Sequence, residues 1–528
     1  MRLISLYCVL ATIASICMIT NGYKILGVFP TMAKSHYIVG SSLMKGLAEK
    51  GHEITMISPF PLSKPMKNWR DIPTPGILEK TKALMDNIIN LRSQGVIEAL
   101  VDLFNMGLML TNLTLQEPSV QNFLRSKEKF DVVVMEIFVN EADIGFGAVF
   151  DAPIVGVSTF GSNMWVNDMV GSPAPLSYVP NPFIPLTDRM SLLERLGNIG
   201  VSVAERLYND FVYLPKQKEL YEKMIPGDNK PCFYELRKNI SMVLLNSHFS
   251  VGHPKPYVTN MVEVGGMHIN RKTKPLPADI KKFLDEAKDG AIYFSMGSNL
   301  KSKLLPVEKR EAILKTFAGL KQRVLWKFED KELPGKPNNV LISDWFPQDD
   351  ILSHPNVKLF ITHGGLLSSM ETIYHGVPII GIPMFGDQFL NMARAERAGF
   401  GITVDYEQLS QKTLGDAIRE ILSNNKYALQ IKEMSRRYKD QPMLPLETAI
   451  YWVEYVARHK GADHIKSASQ ALSFIQYHNL DAFGIILLAF YLVYRLIMGM
   501  LRKVFGLCFG RTKTEEKKVK VTNKKKKN

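Results

Sequence analysis

Short apolar runs rich in β-branched residues recur along this chain, each followed by a stretch with helical spacing. That alternation restricts the fold more than any other feature. Such runs fit strands buried on both faces, and strand–helix alternation implies parallel strands joined by crossovers. The pattern predicts strands at 25–29 and 53–57, with a loop to His36 and a helix ending near Leu47 between them. Runs at 130–135 and 153–157 extend the same sheet. A Lys- and Pro-rich stretch near 270–279 reads as a linker. The pattern then restarts with a strand at 291–295, a turn at Gly297-Ser298 and a helix over 306–320. Strands at 323–328, 340–343, 357–362 and 379–382 follow. At 528 residues the chain accommodates two such α/β units plus accessories. The segment 59–121 is poorer in strands and rich in Met66, Met85, Phe104, Met106 and Met109, residues suited to a core or to an adaptable apolar pocket.

The two ends carry signals of another kind. Met1-Arg2 precedes an apolar run over 3–20 with small residues near Gly22, the pattern of a secretory signal peptide, 1–22. A second apolar run, 482–501, is long enough to cross a bilayer as a helix, its one charge being Arg495. From Arg502 onward there are eleven Lys/Arg against two Glu, which accounts for most of the formal +14. The basic balance is therefore no sign of nucleic-acid binding. It implies a cytosolic tail, 502–528, and a lumenal body. The terminal Lys525-Lys526-Lys527-Asn528 resembles the dilysine retrieval signal of the endoplasmic reticulum, read by coat machinery. Cys8 and Cys17 leave with the signal peptide and Cys508 falls in the tail, so Cys232 alone is lumenal. An intrachain lumenal disulfide and a Cys-based metal site are both excluded. Asn112-Leu-Thr114 and Asn239-Ile-Ser241 are glycosylation sequons.

The chemistry concentrates between Trp345 and Gln388. The order is Trp345-Phe346-Pro347-Gln348, then Phe360-Ile361-Thr362-His363-Gly364-Gly365, Glu371, His375-Gly376-Val377-Pro378, Pro383 and Asp387-Gln388. A diphosphate needs N–H donors or cations. Gly364 and Gly365 allow close backbone approach, and a helix beginning near Ser368 would aim its free N–H groups at the anion. His363 adds a donor for charge on a departing nucleotide.

This order closely resembles the nucleotide-sugar signature of the UDP-glycosyltransferases in their membrane-anchored animal form. The resemblance covers nearly the whole chain. It implies the GT-B architecture, an α/β fold of two Rossmann-like domains facing a cleft, plus a C-terminal transmembrane helix. An acceptor-binding domain would span 23–270, a linker 271–289, a UDP-sugar-binding domain 290–446, and returning helices 447–481, the first amphipathic over 447–460. By resemblance, Trp345 stacks on uracil, Gln348 reaches the ribose or base, and Glu371 accepts from ribose hydroxyls. Asp387 and Gln388 hold the sugar hydroxyls, and Ser298 contacts a phosphate. One position departs: many relatives carry Asn four residues after the signature His, and here that residue is Leu367. Its phosphate contact would fall to Ser368 or Ser369.

Displacing UDP from the anomeric carbon requires the acceptor hydroxyl to lose a proton, which suits a His. His36 follows the first strand, at the sheet edge where α/β proteins place ligands, and occupies the family's general-base position. The residue matching the family's orienting Asp is Glu136, with Glu141 and Asp143 as competitors. No Asp-x-Asp motif occurs, which argues for metal-independent, inverting transfer with no cofactor besides the UDP-sugar co-substrate. The resulting expectation is an enzyme moving a hexose, glucose ahead of glucuronic acid, to small lipophilic hydroxyl compounds, in detoxification or in hormone or pigment conjugation. A non-catalytic carrier is the third reading, and an oligomer is compatible with the chain.

Overall fold

The computed structural model describes residues 22–86, 95–269 and 274–509. The signal-peptide reading of 1–22 and the Lys525-Lys526 reading thus lie outside the described residues, save Gly22. Residues up to Ser467 form one compact unit and those from Ala468 a second.

Two all-parallel sheets organise the first unit. The strands of the first are β1 (Lys24–Val28), β2 (Glu53–Ser58), β3 (Trp69–Pro73), β4 (Val132–Glu136), β5 (Ile154–Ser158), β6 (Met242–Leu245) and β7 (Met261–Glu263). Their order is β3-β2-β1-β4-β5-β6-β7. Ile25 pairs with Ile54 on one side and Val132 on the other. The second sheet contains β8 (Ala291–Ser295), β9 (Arg323–Lys327), β10 (Val340–Ser343), β11 (Val357–Thr362), β12 (Ile379–Gly381) and β13 (Gly401–Thr403), ordered β10-β9-β8-β11-β12-β13. Each sheet is covered on both faces, because residues alternate between two cores along every strand. Leu26 and Val28 face one core, and Ile25 faces another with Val39, Leu43 and Leu47 of the helix Lys34–Glu49.

The helix Pro445–His459 carries Ala449, Ile450, Val453 and Val456 into that same core of the first sheet. His52 Nε2 lies 3.0 Å from Glu454 Oε1 and ties the helix to the turn before β2. A Cβ on Gly46 would meet Ile450 at 2.9 Å, so the close approach of the two helices depends on a residue without a side chain there.

The linker reading needs correction. Its Lys/Pro composition conceals the helix Ala278–Asp285, whose Ile280 and Leu284, one turn apart, are buried in the second domain's core. The methionine-rich region divides: Phe104 is core, whereas Met106 and Met109 form a satellite cluster with Met32, Ile77 and Leu110.

In the second unit, the helix Leu480–Phe509 extends the expected span at both ends. Its segment Leu480–Cys508 is long and apolar enough to cross a membrane, with mean hydropathy 2.1. Val96–Gln116 is also long and apolar enough to cross a membrane, with mean hydropathy 1.4, but belongs to the first unit and packs there.

Candidate active site

A cavity of about 370 Å³ opens between the C-terminal edges of the two sheets. One wall comes from the first sheet: Ser35 and His36 after β1, and Thr159 and Phe160 after β5. The other comes from the second: Gly297 and Ser298 after β8, Lys327 ending β9, Trp345 and Gln348 after β10, His363 after β11, and Asp387 and Gln388 after β12.

His36 sits in the first turn of Lys34–Glu49, and Glu136 is the last residue of β4. Because β1 and β5 flank β4, the loops leaving all three strands converge at one point of the edge. His36 Nδ1 donates to Glu136 Oε1 at 2.5 Å. The carboxylate can only accept, so the ring proton belongs on Nδ1 and Nε2 is left with its lone pair. Thr31 Oγ1 donates to Glu136 Oε2 at 2.5 Å, and Thr159 Oγ1 donates to Oε1 at 3.0 Å. Phe138 and Phe160 stack on each other and present their rings edgewise to the imidazole at 4.7 and 5.5 Å. The carboxylate is wholly buried, so these hydroxyls and the imidazole take the place of water.

The two competing carboxylates are engaged elsewhere. Asp143 accepts from Asn140 Nδ2 at 3.0 Å, and burial pushes its pKa up to about 7. Glu141 accepts from Tyr213 at 2.5 Å, its pKa also raised by burial.

On the opposite wall, His363 is clamped between two glycines. A Cβ on Gly297, whose φ is +82°, would lie 2.4 Å from the ring, and one on Gly365 would lie 2.5 Å from its Nε2. Burial, and secondarily the charge of Lys327, lower the His363 pKa to about 4, so the ring is neutral near pH 7. The helix Leu366–His375 begins with Gly365 as its cap, two residues before the Ser368 start read from sequence. Its first N–H groups border the cleft, the arrangement that binds anions. Ser298 lines the cleft in the glycine turn.

Gln348 Nε2 donates to Ser368 Oγ at 3.0 Å and to Glu371 Oε2 at 2.6 Å, joining the two residues expected around the ribose to one expected at a phosphate. Trp345 remains 50% exposed, and the Lys34 ammonium lies 3.9 Å from the centre of its ring. Asp387 accepts from Asn391 Nδ2 at 2.9 Å. Burial raises its pKa, offset in part by that bond and by the charge of Arg394. Gln388 is only partly available, since its Oε1 accepts from the backbone N–H groups of Met384 at 2.8 Å and Phe385 at 3.2 Å. Its amide N–H₂ is the group left for a ligand. Leu367 packs into the first domain's core instead of offering a donor.

Thr31, Thr159, Lys34, Lys327, Asn391 and Arg394 are site residues that the motif reading passed over. Thr159 and Lys327 were accessible in principle, each standing at or just beyond a strand's C-terminal end. The two sequons differ in setting. Asn239 is exposed, with Oδ1 accepting from Lys466 at 2.6 Å. Asn112 lies within Val96–Gln116, where the Thr114 hydroxyl is buried and donates to the Leu110 carbonyl at 2.8 Å.

Two doubly covered parallel sheets with one cleft between their C-terminal edges make this a GT-B glycosyltransferase fold. A solved glycotransferase of kitacinnamycin superposes with a TM-score of 0.55 at 16% identity, over 83% of this chain and 99% of that one. The chain belongs to the family described as UDP-glucoronosyl and UDP-glucosyl transferase, which it matches over residues 24–515. It is similar to UDP-glycosyltransferase UGT5 of Dactylopius coccus, 36% identical over 96% of this chain and 98% of that protein. It is also similar to 2-hydroxyacylsphingosine 1-beta-galactosyltransferase of Rattus norvegicus, at 33% over 93% and 91%. The protein is therefore an enzyme, a UDP-glycosyltransferase acting on small acceptors.

Proposed function

We propose that the protein transfers glucose from UDP-glucose to a hydroxyl of a small lipophilic acceptor, with inversion and without a metal ion, in detoxification or conjugation of hormones or pigments. The observation that carries this reading is the His36–Glu136 pair, at 2.5 Å, on the wall facing the Trp345, His363 and Asp387 cluster. The acceptor oxygen attacks the anomeric carbon as the bond to the diphosphate breaks, its electron pair leaving on UDP. The hydroxyl proton passes to His36 Nε2, and Glu136 holds the imidazolium that forms. Backbone N–H groups at the start of Leu366–His375 and the neutral His363 ring receive the diphosphate charge. Trp345 carries the uracil, Gln348 and Glu371 the ribose, Asp387 and the Gln388 amide the sugar, and Ser298 and Ser368 the phosphates. The apolar cluster of Met32, Met106 and Met109 belongs to the first domain, and Met32 stands four residues before His36 in sequence.

His36→Ala should lower turnover about 10²–10⁴-fold while UDP affinity and thermal stability persist. Near-normal rates with an aliphatic alcohol would remove His36 from this role. A second donor, UDP-glucuronic acid, is favoured by one observation: Arg394 is coupled to Asp387, and its Nε is enclosed without a hydrogen-bond partner. A uronate carboxylate would satisfy it. Competition between labelled UDP-glucose and UDP-glucuronic acid over an acceptor panel decides between the two.

The remaining elements of the reading are a signal peptide at 1–22, a type I span at 482–501, and a lumenal body in the endoplasmic reticulum. Glycans at Asn112 and Asn239 and coat-mediated retrieval through Lys525 and Lys526 complete it. Of the two sequons, the exposed Asn239 is the better supported. Protease added to intact microsomes should remove only the tail. Digestion of the body without detergent would overturn the topology.

A further inference from the structure

The first sheet ends with β7 at Glu263, and the chain crosses to the second domain through the segment 264–269. Val264 and Met267 stay in the first sheet's core, whereas Ile269 already packs on the second domain. Two glycines let the crossing lie close against the second domain's helices. A Cβ on Gly265 would lie 2.6 Å from the Ser247 backbone and 2.9 Å from Met370 Cε, on the helix Leu366–His375. Gly266 has a φ of +93°, and a Cβ there would lie 2.3 Å from the Tyr438 hydroxyl of the helix Lys426–Lys439. That hydroxyl donates to the Gly265 carbonyl at 3.0 Å. Burial, and secondarily the charge of Glu371, raise its pKa, so it stays a donor. These contacts fix the path of the crossing and deliver His268 to the back of the donor site.

The His268 side chain is 1% exposed, and its Nε2 lies 3.4 Å from Glu371 Oε1. Neither ring nitrogen has a hydrogen-bond partner among the described residues, a costly state for a buried polar group. The other oxygen of Glu371, Oε2, takes the Gln348 amide at 2.6 Å. Glu371 thus stands between two donors, one from the loop after β10 and one from the interdomain crossing. His268 does not line the cleft, so it can reach a ligand only through Glu371. A single donor fixes one carboxylate oxygen and leaves the group free to swing about it. A second donor on the other oxygen removes that freedom, as supporting shells do for ligand-binding groups in general. The separation of 3.4 Å is long, and contacts of this kind commonly tighten when the ligand is held.

We propose that His268 is a positioning residue for the donor: its Nε2–H donates to Glu371 Oε1 and holds the carboxylate in the orientation that accepts from the ribose hydroxyls. A carboxylate only accepts, so the ring presents its proton on Nε2. Because His268 arrives on the interdomain crossing, the grip on the ribose depends on how the two domains are seated. The inference rests on the proposed placing of the ribose at Glu371.

The test is calorimetry of UDP and of 2′,3′-dideoxy-UDP on the full chain in detergent micelles, with donor kinetics beside it. His268→Met and His268→Gln are similar in length and differ in the N–H. His268→Met should weaken UDP about 10–30-fold, the lower part of the range for a hydrogen bond to a charged group. Donor KM should rise by the same factor while kcat at saturating donor is kept. The dideoxy analogue, which has no hydroxyls for Glu371, should bind the variant as it binds the wild type. His268→Gln, which retains an N–H, should recover most of the UDP affinity. Thermal melting checks the fold, and His268→Phe serves if the Met variant is not folded. Equal losses for UDP and the dideoxy analogue would give His268 a packing role and overturn the proposal, as would unchanged UDP affinity. A wild-type protein that binds UDP and the dideoxy analogue equally would overturn the placing of the ribose at Glu371 itself, which separates that failure from this one.

Discussion

Replacing Glu136 by Gln separates the charge of this residue from its shape. The wild-type carboxylate accepts three hydrogen bonds while fully buried, from His36 Nδ1, Thr31 Oγ1 and Thr159 Oγ1. Gln preserves the volume and one acceptor oxygen, and the hydroxyl of Thr31 can turn to accept from the new amide N–H₂. Folding should therefore lose no more than about 1 kcal/mol. Glu136→Ala strands three donors and should lose about 2–4 kcal/mol, since each buried unsatisfied group costs about 1–3 kcal/mol and the cavity relaxes in part. For catalysis, a hydrogen bond to a charged group contributes about 1.5–3 kcal/mol against about 1 for a neutral one. The imidazolium formed on proton transfer thus loses about 1–2 kcal/mol of stabilisation, or about 5–30-fold in turnover. If the new amide instead donates to Nδ1, the ring proton moves to Nε2, the base is blocked, and the loss grows towards 10⁴-fold. Single-turnover rates with an aliphatic alcohol at saturating UDP-sugar measure this, with a thermal melt beside them. Unchanged turnover in Glu136→Gln would refute the claim that this carboxylate serves the His36 base.

Three further outcomes follow from the geometry. Gly297→Ala puts a Cβ 2.4 Å from the His363 ring at a φ of +82°, so stability should fall by about 1–2 kcal/mol and the donor KM should rise; a variant with native melting and donor kinetics would show that the clamp is dispensable. Trp345→Ala should weaken UDP binding by about 1–3 kcal/mol in calorimetry, the range for a base on an aromatic ring, whereas Asp387→Ala should spare UDP and impair use of the sugar. Equal losses of UDP affinity in both would contradict the assigned roles. The third outcome concerns pH. Asp143 keeps its proton in the folded state up to about 7, against an ordinary 3.8, so the native state binds more protons than the unfolded chain between those values. Stability therefore falls as pH rises through that window, by at most about 1.4 kcal/mol per unit. Asp143→Asn should flatten this part of the melting profile, and an unaltered slope would locate the titration elsewhere.

The legibility of the chain followed burial. Strands β8, β10 and β11 stand at the boundaries that their sequence predicts, since continuous apolar, β-branched runs between turn residues have few other solutions. The strand β3, Trp-Arg-Asp-Ile-Pro, buries only Ile72 at the sheet edge, and β13 has three residues, so neither carries enough pattern to stand out. The grouping of Trp345, Gln348, His363, Glu371, Asp387 and Gln388 on one wall of the cleft was legible because they lie within 44 residues of chain, Trp345 to Gln388. The choice among Glu136, Glu141 and Asp143 was not, because it depends on strand order. Only the placement of β4 between β1 and β5 brings Thr31, His36 and Thr159 around one carboxylate, and strand order leaves no trace in local periodicity. The helix Leu192–Tyr208, whose leucines are exposed, fails for a different reason. Its period is plain, but period gives the existence of an apolar face and not its direction. The usual assignment of that face to the interior assumes water outside. Here Asn198 finds its partners on the protein side, and that outweighs the assumption. A buried polar group that is fully bonded is therefore better evidence of which way a helix faces than the leucines opposite it.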